Sequence, residues 1–355
     1  MDPLDYYLQK LRDPYWGVRE AAAHGLGRLG DERAVEGLLE ALGDPDGYVR
    51  AAAVRALGQV GGSRAVEPLV DMLAQPLAVL RAAAAEALGT LGDPRALPGL
   101  NAALKDAEWT VRLQACRSLA RLGADRSRGP LRQALEDPVE IVRYQAALAL
   151  APQQHPAAGP VLREALGCSD REVRRQAVQA LGELGDLRAA GDLRALLRDP
   201  GEDRRAAAAV ALARLGDFAA AGELLAALQS EEADLRGSVA YALGRLAEPR
   251  AVRPLRRLGR DTRTFGFTDP ATGREEETTV AALAHAALQE VQRAARNPAA
   301  YWAERAESEP RPHVAARFWQ KVLENRPRGV LAEEAARARA QALQRAREEG
   351  WSEDS

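Results

Sequence analysis

Lysine is almost missing from this chain. Lys10, Lys105 and Lys321 are the only three among 355 residues, although lysine and arginine together number 49. Isoleucine occurs once, as Ile141. Such a bias fits a GC-rich genome, a thermophile or both. Two cysteines, Cys116 and Cys168, are too few for a disulfide framework and lack metal-ligand spacing, so a reducing compartment is the default. Of the four histidines (His24, His155, His285 and His313) none is followed by glutamate, and no HExxH, CxxC, GxSxG or GxxxxGK[ST] occurs. No nucleophile has a plausible base, so no catalytic residue, cofactor or metal ligand is assigned. The first twenty residues lack a basic start followed by an apolar run, and charges interrupt every apolar stretch well short of the roughly 18 residues of a membrane span. The expected location is the cytoplasm. A formal net charge of −2 imposes neither nucleic acid nor an anionic membrane as partner.

What the chain has instead is repetition. Arginine stands at 19, 50, 81, 112, 143, 174, 205 and 236, each 31 residues after the last, and a leucine follows each by seven, from Leu26 to Leu243. Six residues before, aspartate recurs as Asp13, Asp44, Asp106, Asp137 and Asp199, with Gln75, Cys168 and Ser230 at the other places. Each unit holds two helical patterns separated by turn signals: in the second, RAVEGLLEAL (33–42), the turn DPDG (44–47), then YVRAAAVRALGQV (48–60), closed by Gly61 and Gly62. Neither helix could fold alone, because both are short and each leaves an apolar stripe that only a neighbour covers.

With the arginine as zero, positions −1, +3, +7 and +10 of the second helix (Val49, Ala53, Leu57, Val60) form a stripe facing the first helix of the pair. Glycine recurs at +8, as Gly27, Gly58, Gly89, Gly182 and Gly244. Inside a helix it costs roughly 1 kcal/mol against alanine, so close approach of the adjacent repeat is expected there. The side left free carries +1, +5 and +9, with +2 beside it.

The VRxxAAxALGxLGDxRAV pattern, read at 49–66 and 80–97, resembles the HEAT-like repeats of the phycobilisome-lyase type, over about 260 of the 355 residues. The resemblance implies an all-α fold, a right-handed α-solenoid of stacked antiparallel helix pairs whose second helices line the concave surface. It also implies that aspartate and arginine form a hydrogen-bonded ladder between repeats, which makes the eight arginines structural. Where aspartate is replaced, a weaker rung or a neighbour such as Asp170 is expected.

Irregularities interrupt the array. Pro152, in ALAPQQHPAAGP (149–160), should stop its helix early. After Asp261 the insertion TRTFGFTDPATGREEETT (262–279) alternates Phe265 and Phe267 with small residues, turns at DPATG and returns through EEETT, the pattern of a small β-hairpin; it is expected to clasp the last repeat or to meet a partner. Helix then resumes with Ala281 in the arginine's place. The expected division is a solenoid of about nine helix pairs over 1–296, a helical capping module over 297–350 with a faint likeness to a tetratricopeptide hairpin, and a frayed tail over 351–355.

The free side of the second helices is the expected working surface. Its +1, +5 and +9 positions hold seven arginines against three glutamates, and near its centre Trp109, Leu113, Arg117, Tyr144 and Leu148 gather, followed by Arg175, Gln179 and, further on, Tyr241. Apolar and aromatic groups among arginines are the usual content of protein-binding hot spots. The leading reading is a non-enzymatic scaffold or assembly factor that grips an acidic or amphipathic protein segment on its concave face. The resemblance raises as an alternative a bilin lyase or chaperone subunit of the E/F type, in which case the chain would act on a tetrapyrrole as one partner of a heterodimer. A third reading, a basic nucleic-acid groove as in some HEAT-like glycosylases, is disfavoured by a pI near 6.2.

Overall fold

In a computed structural model that describes residues 2–123, 127–199, 204–269, 272–325 and 330–351, the chain is almost wholly helical. It divides into two compact units, Met1–Gln153 and Gln154–Ser355. The division falls inside the repeat array rather than at 296/297, and the helices beyond 297 belong with the second unit. Helix pairs account for it: the chain breaks after Leu150, where Pro152 denies the second helix its last turn.

Five pairs make the first unit: α1 (Pro3–Lys10) with α2 (Trp16–Leu29), α3 (Val35–Ala41) with α4 (Gly47–Val60), α5 (Val66–Met72) with α6 (Ala78–Leu91), α7 (Leu97–Ala103) with α8 (Trp109–Arg121), and α9 (Arg128–Ala134) with α10 (Glu140–Leu150). Local chemistry sets the ends. The Asp46 carboxylate accepts the backbone N–H of Tyr48 at 2.8 Å and starts α4, while Gly30 and Gly92 close α2 and α6 in the left-handed conformation at φ 63° and 68°. Helix α4 runs ten residues past its arginine; α10 stops seven past its own, as proline at 152 requires.

The repeat stacks as its spacing predicts. Val49, Ala53 and Leu57 are fully buried. A Cβ placed on Gly27, Gly58 or Gly89 would lie 3.1, 2.9 or 2.7 Å from the Cα of Ala56, Ala87 or Ser118, each the +6 residue of the next repeat. Helix backbones therefore touch at every +8 glycine, and no larger residue fits.

Arginine and aspartate form the expected ladder. Arg19 donates from Nε and Nη2 to both oxygens of Asp44 at 2.7 and 2.9 Å, and from Nη1 to the carbonyls of Asp13 and Pro14 at 2.9 and 3.1 Å. Arg81 does the same to Asp106, and Arg112 to Asp137. One guanidinium thus closes its own turn and holds the next one. At Gln75 the rung is missing: Arg50 still donates to the Asp44 and Pro45 carbonyls, but among the described residues its buried Nε has no hydrogen-bond partner.

The second unit holds four more pairs: α11 (Ala158–Ala165) with α12 (Arg171–Leu184), α13 (Ala190–Arg198) with α14 (Arg205–Leu215), α15 (Ala221–Ala227) with α16 (Ala233–Arg245), and α17 (Val252–Leu258) with α18 (Val280–Arg296). Arg205 reaches Glu232 at 3.4 Å in place of the aspartate that Ser230 replaces, and Arg236 meets Asp261 at 2.8 Å. Among the described residues Asp170 makes no ion pair; it caps α12 through the N–H of Glu172. A Cβ on Gly244 would lie 2.5 Å from the Cα of Ala287, so α18 resumes the register with Ala281 at the arginine's place.

Between α17 and α18 stand β1 (Thr264–Thr268) and β2 (Glu275–Thr279), antiparallel, with Thr264 opposite Thr279 and Thr268 opposite Glu275. Residues 270 and 271 of the expected turn lie outside the described residues. Three helices follow, α19 (Pro298–Ser308), α20 (Pro312–Glu324) and α21 (Val330–Glu348). They do not simply cover the end of the array. Arg311 donates from Nη1 to the carbonyls of Gly182 and Glu183 at 2.9 and 3.0 Å and from Nη2 to that of Arg214 at 2.9 Å; His313 Nε2 meets the Leu184 carbonyl at 3.0 Å; Arg317 donates to the Gly185 carbonyl at 3.3 Å. These groups satisfy carbonyls at the C-terminal ends of α12 and α14, which otherwise have no partner within their helices. Trp302, Phe318 and Val322 pack around Phe218 at the start of the next repeat. Trp351, expected to begin a frayed tail, is buried against His313 with ring centroids 3.9 Å apart; residues 352–355 lie outside the described residues.

Candidate functional site

The free face is narrower than its sequence positions imply. Every +5 and +9 residue is exposed or half-buried, but at +1 Ala51, Leu113, Tyr144 and Gly237 are buried. Helical geometry explains this. Seven residues advance the wheel by about 700°, so +1 points within about 20° of +8, the seam against the next repeat. Two of the expected binding residues are thereby corrected. Tyr144 is only 1 % exposed, its hydroxyl turned back one turn to Glu140 Oε1 at 2.5 Å, and Leu113 is 8 % exposed. Both are packing residues and offer a partner no area.

In the first unit Trp109 is exposed at the first turn of α8, while Arg117 and Leu148 are half-buried at +5 of α8 and α10. Arg28, Arg55, Arg117 and Arg121 have no carboxylate within ion-pair distance among the described residues, whereas the ladder arginines Arg19, Arg81 and Arg112 do. These four cations carry uncompensated charge on this face. Cys116 beneath them is buried, which pushes its thiol up to about 12, so it supplies no thiolate.

In the second unit Arg175 and Gln179 line one cavity, Tyr241 lies beside it under Phe267, and the hairpin decides what they form. Phe265 lies over Gly237: a Cβ there would fall 2.1 Å from the ring. Phe267 packs on Tyr241 with centroids 5.4 Å apart. The hairpin therefore covers α16 through β1, while β2 packs beside α18 of the last pair. Its β1 edge walls an open cavity of about 270 Å³ whose floor is Ala206, Val210 and Ala211 of α14 and whose rim holds Arg175, Gln179, Glu183 and Arg214. Rim charges are mostly paired. Arg175 donates to both oxygens of Glu172 at 2.6 and 2.9 Å, Gln179 donates to Glu183 at 3.1 Å, and Arg214 stands 3.7 Å from the same carboxylate. Burial lowers the Arg214 pKa from its ordinary value. The arginine excess read across the whole face is thus local to the first unit, and the second unit offers an apolar floor inside a neutralised polar rim.

Sequence reasoning passed over Gly237, Val210 and Phe267 as site residues. A signal existed for the first: Gly237 is the only glycine at +1 in the eight units, and it marks where the hairpin ring lands. Among the described residues no group of three or more His, Cys, Asp or Glu side chains could hold a metal ion, and no helix is long and apolar enough to cross a membrane.

The HEAT repeats family matches residues 4–88, 76–151, 128–213 and 195–265, a continuous span of most of the chain. The chain belongs to the HEAT repeat family. An Escherichia coli protein, YibA, is 22 % identical over 69 % of this chain and 92 % of its own, with a TM-score of 0.55, and an engineered protein is 19 % identical over 97 % of this chain and 99 % of its own, with a TM-score of 0.52. Both are likenesses of fold. The complex of CpcE and CpcF of phycocyanin lyase from Nostoc is 26 % identical over 69 % of this chain and 95 % of that chain, with a TM-score of 0.46. No curated protein matches the chain in sequence.

Proposed function

We propose that this HEAT-repeat protein is a non-enzymatic scaffold that holds a segment of another protein against the free face of its second helices. The observation that carries the reading is the hairpin-walled cavity of the second unit, an apolar floor of Ala206, Val210 and Ala211 open to solvent beside Phe267. A partner side chain of leucine or phenylalanine size suits it, and burying one contributes about 1.5–3 kcal/mol. On the first unit, Arg28, Arg55, Arg117 and Arg121 favour carboxylates of the partner, each exposed pair adding about 0.2–1 kcal/mol and weakening with salt. The cavity supports an amphipathic segment as the ligand class of the second unit, and the four arginines support an acidic one for the first.

The test uses the full chain as bait in extract of its native host. A protein recovered with wild type should be lost about ten- to a hundredfold with Val210→Trp, which fills the cavity, and recovered normally with Arg256→Glu on the exposed side of α17. Unchanged recovery with Val210→Trp, at an unchanged melting temperature, overturns this placement. Salt-sensitive retention on duplex DNA with no protein partner overturns the scaffold reading itself.

A further inference from the structure

The hairpin leaves one strand edge open, and that edge faces the cavity. Val280 donates its N–H to the Arg263 carbonyl at 3.1 Å and Asp269 donates to that of Arg274 at 2.9 Å, both in the register that sets Thr264 opposite Thr279. Hydrogen-bonded and open residues alternate along an antiparallel pair, so the odd-numbered residues of β1 turn their backbone groups to β2 while Thr264, Gly266 and Thr268 turn theirs away. All three are exposed, and outside the pair with β2 none of their backbone groups makes a hydrogen bond among the described residues. Because β2 stands beside α18, and Gly266, Phe267 and Thr268 line the cavity, this open edge looks toward α14. Natural sheets guard such an edge with lysine, proline or a bulge; TFGFT carries none, and its register with β2 is unbroken.

The groove beside the edge has the faces and the length of a strand. Phe265 lies on Gly237 and Phe267 on Tyr241, so β1 runs along α16 in the same direction with its phenylalanines turned toward the second helices. A third strand would lie about 4.8 Å beyond β1 with the same pleat, and its inward side chains would meet Ala206 and Val210 of the floor. Arg214, at the far end of the lined stretch of α14, stands about 12 Å along the helix from Ala206. Four extended residues cover about 13 Å. A helix would offer no free backbone donor or acceptor to Gly266 and Thr268, because its own groups are paired internally. Charge narrows the choice further. Arg175 and Arg214 already face Glu172 and Glu183, whereas Asp234 on the lining makes no ion pair among the described residues, so a basic side chain suits the groove better than an acidic one.

We infer, on the scaffold reading, that the segment held by the second unit binds as an extended strand added to the open edge of β1 through Gly266 and Thr268, with apolar side chains at alternate positions on Ala206 and Val210 and a lysine or arginine toward Asp234. Main-chain hydrogen bonds supply affinity independent of sequence, and the small floor residues select the inward side chains.

The probe is a library of random linear peptides displayed on phage, selected on the full chain and counter-selected on Val210→Trp. Peptides that survive should alternate apolar and polar residues and carry net positive charge. A synthetic copy of the best should slow solvent exchange of the Gly266 and Thr268 amides at least tenfold, and N-methylation at every second peptide residue should abolish binding while methylation at the residues between should not. Thr268→Pro removes an N–H that the hairpin itself does not use, so it should weaken the peptide at least tenfold at an unchanged melting temperature. Peptides that depend on Val210 but repeat at helical spacing, leave both amides exchanging as before, or bind Thr268→Pro equally would overturn the added strand and leave the scaffold reading standing. A selection that yields nothing dependent on Val210 would overturn the groove as a strand site, while capture of a protein from extract decides the scaffold reading separately.

Discussion

His313 makes the second unit sensitive to mild acid. Its ring is almost fully buried between the α12 terminus and Trp351, and burial, reinforced by the Arg317 and Arg311 guanidinium groups, pushes its pKa down to about 3. In the unfolded chain the ordinary value is about 6.5, so below that pH the unfolded state takes up a proton that the folded state refuses. A depressed folded pKa means that stability falls as pH falls, by about 1.4 kcal/mol per unit between roughly 6.5 and 3. From pH 7 to pH 5 the loss from this one residue is about 2 kcal/mol. His313→Gln keeps an N–H for the Leu184 carbonyl and removes the titration. It gives up the stack on Trp351, worth about 0.5–1.5 kcal/mol at every pH. Urea unfolding at pH 7, 6 and 5, followed by circular dichroism on both chains, separates the effects. Wild type should lose about 2 kcal/mol more than the variant over this range. Parallel pH dependences would refute the buried neutral imidazole.

Other consequences follow from the ladder and the seams. Asp106→Ala leaves the Arg81 guanidinium, 14 % exposed, facing no carboxylate, and should cost about 2–3 kcal/mol in urea unfolding. Gln75→Asp restores the absent rung to Arg50 and should stabilise by about 1 kcal/mol by the same measure. Gly244→Ala should lower the melting temperature despite alanine's better helix propensity, because its Cβ would fall 2.5 Å from the Cα of Ala287. Asp261 is held down to about 2, chiefly by hydrogen bonds from Arg263, so its contribution is complete above about pH 5 and disappears as pH falls toward 2. Asp261→Asn should flatten the acid limb of the stability profile in that window, and an unchanged limb would contradict the pairing.

Most of the architecture was written in the chain, because a repeat states its contacts many times over. The +8 glycines mark the seam, and the family resemblance implies the rung between each arginine and the recurring aspartate of the next repeat. Gln75 even located the failed one. The binding face was harder to read. Positions +1 and +8 are seven residues apart and share a side of the helix, so Leu113 and Tyr144, expected as contact residues, are packing. Arg175 and Gln179, expected on the free side at +1 and +5, line the hairpin-walled cavity. Val210 stands at +5 on the free side with nothing but its apolarity to single it out, and only the hairpin folded over α16 makes it part of a cavity. The C-terminal helices were legible as helices, yet their hold on α12 and α14 was not. Arg311, His313 and Arg317 lie over 100 residues from most of the carbonyls they satisfy, and no periodicity links them.

The most direct test of the scaffold assignment is photo-crosslinking from two positions of the second unit, with benzoylphenylalanine replacing either Gln179 on the cavity rim or Arg256 on the exposed side of α17. Adduct formation with the protein recovered in the capture experiment should come from position 179 and not from 256, and should vanish when Val210→Trp is added. Equal adducts from both positions, or adducts from 256 alone, would contradict it.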